Sequence, residues 1–146
     1  MPVTSGDSDF QPAMPETRSD VLSADITEAN RMARQQGLIQ DAFFAFDAST
    51  LDSDAQEALR RSAAWLRDNA GYRIRVEGHC DERGTEQYNL ALGDRRADTA
   101  ASYLSALGID RRRIETQSYG EERPFELGSY EAAWQQNRRA HLVLIR

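Results

Sequence analysis

EGHCDERGTEQYNLALGDRRADTAASYL, residues Glu77 to Leu104, is the stretch on which the fold turns. It passes from a strand end, through a polar loop, into a long helix. The segment that leads into it, Tyr72 to Gly78 (YRIRVEG), alternates. Ile74, Val76 and Gly78 point one way, and Arg73, Arg75 and Glu77 the other, as a half-buried strand requires. Cys80 to Gly84 is polar and contains glycine. From Glu86 to Leu107 the period changes to that of a helix, which Gly108 stops. On this helix Leu90, Gly93, Ala97, Ala101 and Leu104 form the stripe that faces a core. Asn89, Leu92 and Arg96 share another side, with Arg96 roughly 120° from the first residue of the core stripe. That position predicts a side chain at the margin of the buried face, able to reach a groove without being buried.

Outward from this unit the pattern repeats. Leu38 to Phe46 (LIQDAFFAF) is aromatic and strand-like. Ser53 to Asn69 reads as an amphipathic helix with Ala55, Leu59, Ser62 and Leu66 on one face, ended by Asn69-Ala70-Gly71. Arg113 to Tyr119 is a further strand, Gly120 to Gly128 a loop, Tyr130 to Arg138 a short helix and Ala140 to Ile145 a last apolar strand. The order is βαβαβ(α)β, an α+β domain in which one sheet packs against helices. The order of strands within the sheet does not follow from this reading. Residues 1–37 are expected to be a flexible tether with a possible short helix, Asp25 to Gln36. Met1 to Ser23 is rich in Pro, Ser, Asp, Gly and Thr and too poor in apolar residues to fold alone. The domain is expected over residues 38–146.

Composition narrows the function. The chain has 146 residues, a net charge of −6 and a pI near 4.9, which argues against broad attraction to nucleic acid or anionic lipid. All 18 basic residues are Arg. A single cysteine, Cys80, excludes an internal disulfide and a multi-cysteine zinc site. No run is long and apolar enough to span a membrane. The sequence MPVTSGDSDF at the N-terminus lacks the pattern of a signal peptide, so an exported form of this protein is expected to be processed or truncated.

The motif Gly78-His79-x-Asp81, a loop containing Gly84, then Asn89-x-x-Leu92 and Arg96-Ala97, resembles the signature of OmpA-like peptidoglycan-binding domains. Phe43 to Leu51 (FFAFDASTL), Ser118 to Pro124 (SYGEERP) and Asn137 to Leu144 (NRRAHLVL) resemble that family's flanking segments. Several blocks in the right order make the signal far more specific than a lone motif. Glu82-Arg83-Gly84-Thr85 and Leu92-Gly93 are similar to the peptidoglycan-associated lipoprotein (Pal) branch. Cys80 departs from the small Ala or Thr usual there, and the lipid-bearing cysteine expected at the mature N-terminus is missing.

The resemblance implies a two-layer domain with a mixed sheet covered by helices, and a non-catalytic role without cofactor. The ligand would be the peptidoglycan stem peptide, held by its meso-diaminopimelate: Asp81 for the ammonium and Arg96 for the carboxylate. Asn89 would donate and accept toward peptide backbone, as would His79. Leu92 shares their side of the helix, and Phe46 and Asp47 would add to the cleft wall. The implied partners are peptidoglycan, the periplasmic propeller protein of the Tol system (TolB-like), and the outer membrane through a lipid anchor not present in this chain. The protein is then expected as a monomer on the periplasmic face of the outer membrane.

Plainer readings stand beside these. Asp81 and Arg96 are also what an internal salt bridge looks like. His79-Cys80-Asp81-Glu82 tempts as a metal cluster, but neighbours on an extended chain point apart, so at most His79 and Asp81 converge. The same geometry defeats a Cys80–His79 nucleophile pair. Asp81 and Glu82, adjacent in sequence, cannot flank a scissile bond as a hydrolase would need. Cys80 reads as a buried small side chain. Phe43, Phe44, Trp65, Tyr103 and Trp134 read as core, and Arg111-Arg112-Arg113 as solvated or paired with a helix dipole. A protein-interaction scaffold of the same fold without peptidoglycan binding is the alternative function.

Overall fold

The computed structural model describes residues 25–146. The expected tether over Met1 to Ser23 lies outside the described residues. Helix α1 spans Ile26–Gln35, strand β1 Ala42–Phe43, helix α2 Ser53–Asp68 and strand β2 Arg73–His79. Helix α3 follows at Glu86–Ala106, then a 3-10 turn at Arg111–Arg113, strand β3 Ile114–Gly120, helix α4 Glu131–Asn137 and strand β4 Arg139–Ile145. The sheet order is β1-β4-β2-β3. β2 pairs parallel with β3 and antiparallel with β4, and β1 pairs antiparallel with β4, so the sheet is mixed.

The two long helices start on side-chain caps. Asp52 accepts from the Ala55 N–H (2.8 Å), and Thr85 from the Tyr88 N–H (3.0 Å), each satisfying an otherwise orphaned donor. The expected stripe of α2, Ala55, Leu59, Ser62 and Leu66, is buried. So are Gly93, Ala97, Ala101 and Leu104 of α3. They meet Ile74 and Val76 of β2 and Ala140, Leu142 and Leu144 of β4, all at or below 1% exposure. The glycines set the spacing: a Cβ on Gly78 would stand 1.8 Å from the Gly93 carbonyl oxygen, so α3 rests directly on β2. No helix among the described residues is long and apolar enough to cross a membrane.

Two boundaries differ from the sequence reading. The short helix anticipated before the domain is part of it: Ala29 and Ala33 of α1 belong to the core. The strand expected over Leu38 to Phe46 is reduced to two residues, because side chains take over its pairing. The Asp41 carboxylate accepts the Leu142 N–H (3.0 Å), and Asn30 bonds both the N–H (2.7 Å) and the carbonyl (2.9 Å) of Leu144. Together they close the edge of β4 that a longer β1 would have covered. Phe44 is core, but Phe43 is 41% exposed. Trp65 and Tyr103 pack against the core from its margin. Of the arginine run, Arg111 and Arg112 are exposed. Arg113 donates to the carbonyls of Leu66 (2.9 Å), Asn69 (3.1 Å) and Tyr72 (2.8 Å), capping the C-terminal end of α2.

Candidate functional site

A cleft of about 220 Å³ opens where three segments meet. Phe46 and Asp47 come from the loop after β1; Cys80, Asp81, Arg83 and Gly84 from the β2–α3 loop; Tyr88, Asn89, Leu92 and Arg96 from α3. Six of the seven candidate residues line it. His79 does not. With Ile74, Val76 and Gly78 turned to the helices, its ring falls on the opposite sheet face. There Nε2 lies 3.2 Å from Glu77, and the ring sits edge-on to Phe125 (4.8 Å between centroids) and near Tyr119 and His141. Only its backbone serves the cleft. His79 and Asp81 therefore do not converge, and among the described residues no group of three or more metal-ligating side chains forms.

Arg96 is 1% exposed, not marginal. The close seat of α3 on β2, and the fold of residues 45–48 over it, enclose the side chain. Its Nε donates to the Ala48 carbonyl (2.8 Å), Nη1 to that of His79 (2.9 Å) and Nη2 to that of Ala45 (3.1 Å). A guanidinium has five N–H groups, so beyond these three bonds N–H remains for the Cys80 thiol and for a ligand. No carboxylate pairs with it among the described residues. Burial pulls its pKa below the ordinary value, while the Asp81 and Asp47 charges oppose this. The guanidinium stays protonated nonetheless. The cleft thus contains a fixed, enclosed cation with no carboxylate in direct contact among the described residues.

The plainer reading of Asp81 and Arg96 as an internal salt bridge does not hold: the two are not paired. Asp81 is 4% exposed, and its carboxylate is filled by others. Oδ1 accepts from the Arg83 N–H (3.0 Å) and Nε (3.2 Å), Oδ2 from Arg83 Nη2 (2.9 Å) and Arg138 Nη1 (3.4 Å). Burial would raise this carboxyl, but these bonds and the Arg83 charge bring it below the usual range. Asn89, 2% exposed, turns its amide toward the loop, donating to the carbonyls of Asp81 and Arg83 and to Glu121. This amide nitrogen shapes the loop. Asp47 is the open acid of the cleft: it is exposed, sits at φ 56°, and accepts from the Tyr88 hydroxyl. Asp is among the residues that tolerate this left-handed conformation.

Cys80 is buried as expected, with Sγ 3.2 Å from the Asn89 carbonyl. Burial pushes its thiol up to about 11 despite the opposing Arg96 charge. Trp134 is not core. It is half-buried, donates to Glu82 (2.9 Å) and stacks on Arg83 at 3.9 Å. Arg83 and Tyr88 are the cleft residues that the sequence reading assigned no role. Tyr88 had a signal: with Leu92 and Arg96 it completes an i, i+4, i+8 row on one side of α3.

Comparison with known proteins agrees with this architecture. The OmpA family profile matches residues 43–138. The peptidoglycan-associated lipoprotein of Brucella melitensis is 47% identical over 102 residues, covering 70% of this chain and 61% of that protein. That of Mesorhizobium japonicum is 50% identical over the same length and the same shares. The chain therefore matches about three-fifths of the length of these relatives. The crystal structure of the peptidoglycan-associated lipoprotein from Burkholderia pseudomallei superposes with a TM-score of 0.70 at 40% identity, covering 73% of this chain and 90% of that one. The C-terminal domain of Helicobacter pylori MotB, 18% identical with a TM-score of 0.67, shares the fold. The mixed sheet, the capped helix α3 and the matched span of sequence lead to one assignment: this chain belongs to the OmpA family.

Proposed function

We propose that the chain is a non-catalytic module that binds the peptidoglycan stem peptide at its meso-diaminopimelate residue and tethers the cell wall to the outer membrane. The observation that carries this is Arg96, an enclosed guanidinium with N–H groups beyond its three carbonyl bonds and no carboxylate paired with it among the described residues, at the wall of an open cleft. Burying an unpaired charge is costly unless a partner arrives. A ligand carboxylate supplies it and forms a bidentate pair.

The free end of diaminopimelate is a zwitterion, an ammonium and a carboxylate on one carbon. The cleft offers two acids, Asp47 and Asp81, and two cations, Arg83 and Arg96. Arg96 takes the carboxylate. The four acceptor positions of Asp81 are engaged, so Asp47 gives the ammonium its direct contact and Asp81 contributes its field. Leu92 and Phe46 supply apolar wall to the methylene chain. Relatives named peptidoglycan-associated lipoproteins support the ligand class. Attachment to the outer membrane through lipid, a periplasmic location, a monomeric state and binding of a TolB-like propeller are parts of the same proposal.

A Lys-containing stem lacks the carboxylate and leaves Arg96 unpaired. That costs on the order of 2 kcal/mol, hence at least about tenfold in affinity. Calorimetric titration with diaminopimelate and lysine stem peptides tests it, with Arg96→Lys and Asp47→Asn as second and third proteins. Equal affinity for both stems refutes the assignment of Arg96; no binding of either favours an interaction scaffold.

A further inference from the structure

Arg83 is held as a receptor is held. Its guanidinium lies between the rings of Phe46 (4.0 Å) and Trp134 (3.9 Å). Its Nε and Nη2 engage Asp81 side-on. Trp134 is itself oriented by its indole N–H on Glu82 (2.9 Å). Three separate segments, the loop after β1, the β2–α3 loop and α4, converge on this one side chain, which remains 32% exposed at the cleft.

The same local turn occurs elsewhere without these additions, which makes a control within the molecule. Asp110 and Arg112 have the same i,i+2 spacing and the same bonds: N–H to Oδ1 (2.8 Å), Nε to Oδ1 (3.1 Å) and Nη2 to Oδ2 (3.0 Å). The Arg112 side chain is 90% exposed, and no ring stacks on it among the described residues. An Asp-x-Arg turn therefore needs no clamp to form. The clamp on Arg83 does something further: it fixes the plane of the guanidinium. A side-on pair uses Nε and one Nη and leaves the other edge, Nη1 with the second N–H of Nη2, as an intact fork. Nη1 has no hydrogen-bond partner among the described residues.

We propose that this fork receives a second carboxylate of the bound peptide, so that the cleft reads two acids, one at Arg96 and one at Arg83. The inference rests on the peptidoglycan reading above. Its ligand class is a stem peptide with a free carboxylate beyond the one on the far carbon of diaminopimelate. Two such groups lie near that residue: the α-carboxylate of the preceding γ-linked glutamate and the C-terminal carboxylate of the peptide. Amidation of the one that Arg83 reads removes an acceptor of charge-assisted hydrogen bonds and weakens binding about tenfold or more.

The experiment is calorimetry on the chain, Arg83→Gln and Trp134→Leu, each titrated with the free-acid tetrapeptide, its glutamate α-carboxamide and its C-terminal carboxamide. Circular dichroism checks the fold of both variants. The expected result is a tenfold penalty for one of the two amides on the unsubstituted chain, absent in Arg83→Gln and reduced in Trp134→Leu, where the plane is no longer fixed. The penalised amide identifies the source. If the unsubstituted chain binds both amides as it binds the free acid, or if the penalty persists unchanged in both variants, the inference is overturned while Arg96 keeps its role. If the unsubstituted chain binds none of the peptides, the peptidoglycan reading fails and takes this one with it.

Discussion

Nη1 of Arg96, on helix α3, donates to the carbonyl of His79 at the end of β2, 2.9 Å away. With its bonds to Ala45 and Ala48, this makes Arg96 a junction of helix, strand end and loop. Arg96→Ala leaves three carbonyls without their donor, that of His79 buried, and is expected to lower stability by about 2–4 kcal/mol. Arg96→Lys, which cannot reach all three, is expected to lose less stability but as much selectivity. Urea unfolding of the three proteins checks this. A loss for Arg96→Ala below about 0.5 kcal/mol would mean that the carbonyls find other partners.

Gly78 and Gly93 define how far α3 descends on the sheet. In Gly78→Ala the new methyl would lie 1.8 Å from the Gly93 carbonyl oxygen and 2.5 Å from its carbon, both backbone atoms. Neither can swing aside as a side chain would. The helix must lift, which also displaces Arg96 three residues on. The substitution is expected to cost about 3 kcal/mol, at the upper end of overpacking effects, and to weaken ligand binding in the protein that remains folded. Thermal unfolding and peptide titration read the two effects separately.

These two residues show what the sequence made legible. The alternation over Tyr72 to Gly78 assigned the inward face of β2 correctly, and the helix periods located the core face of α2 and that of α3 from Gly93 on, while Leu90 is only half-buried and Leu92 is buried. The same alternation already implied that His79 faces away from the helices; the motif's association with a ligand hid that. Arg96 was misplaced because a helical wheel gives direction around one helix but not the depth to which it sinks. That depth comes from glycine-on-glycine contact and from a loop 48 residues earlier in the chain. β1 was overread because Leu38 to Phe46 has strand composition, while its hydrogen bonds go through the side chains of Asp41 and Ser62. The destination of the Asp81 carboxylate depends on the turn that brings Arg83 back onto it, a tertiary detail without a periodic signature.

Asp41 should dominate the acid limb of stability. Its carboxylate is enclosed, and it accepts from Arg34 (3.0 Å), Arg139 (2.9 Å), His141 (2.7 Å) and the Leu142 N–H (3.0 Å). Burial alone would raise its pKa, but the His141 hydrogen bond and charge, the Arg34 charge and the Leu142 N–H outweigh it and hold the carboxyl far below the usual range. A group with a depressed folded value stabilises fully above its unfolded pKa, about 3.9 for Asp. That contribution is lost as pH falls from there toward the folded value. Urea midpoints are therefore expected to drop steeply below about pH 4. Asp41→Asn is expected to flatten this limb and to cost about 2 kcal/mol at neutral pH, since it leaves half-buried Arg34 and Arg139 without their carboxylate. A parallel acid limb in Asp41→Asn would move the effect to other carboxylates.

Cys80 offers a probe of the cleft that needs no ligand assignment in advance. Its side chain lines the cleft, yet the residue is only 3% exposed, and burial holds the thiol near 11. At pH 8 the thiolate is then about one part in a thousand of the thiol, against roughly a quarter for a free cysteine. Iodoacetamide is expected to label the folded chain at least 100-fold more slowly than the chain in denaturant. Raising the pH from 8 to 9 should speed folded-state labelling about tenfold, because the thiolate fraction still rises in proportion below its pKa. A diaminopimelate stem peptide seated against Leu92 and Arg96 covers the thiol and should slow labelling further. The lysine stem should do so only at higher concentration. If the folded chain labels as fast as the unfolded one, the loop from Cys80 to Gly84 opens freely, and the fixed geometry on which Arg83 and Arg96 both depend does not hold in solution.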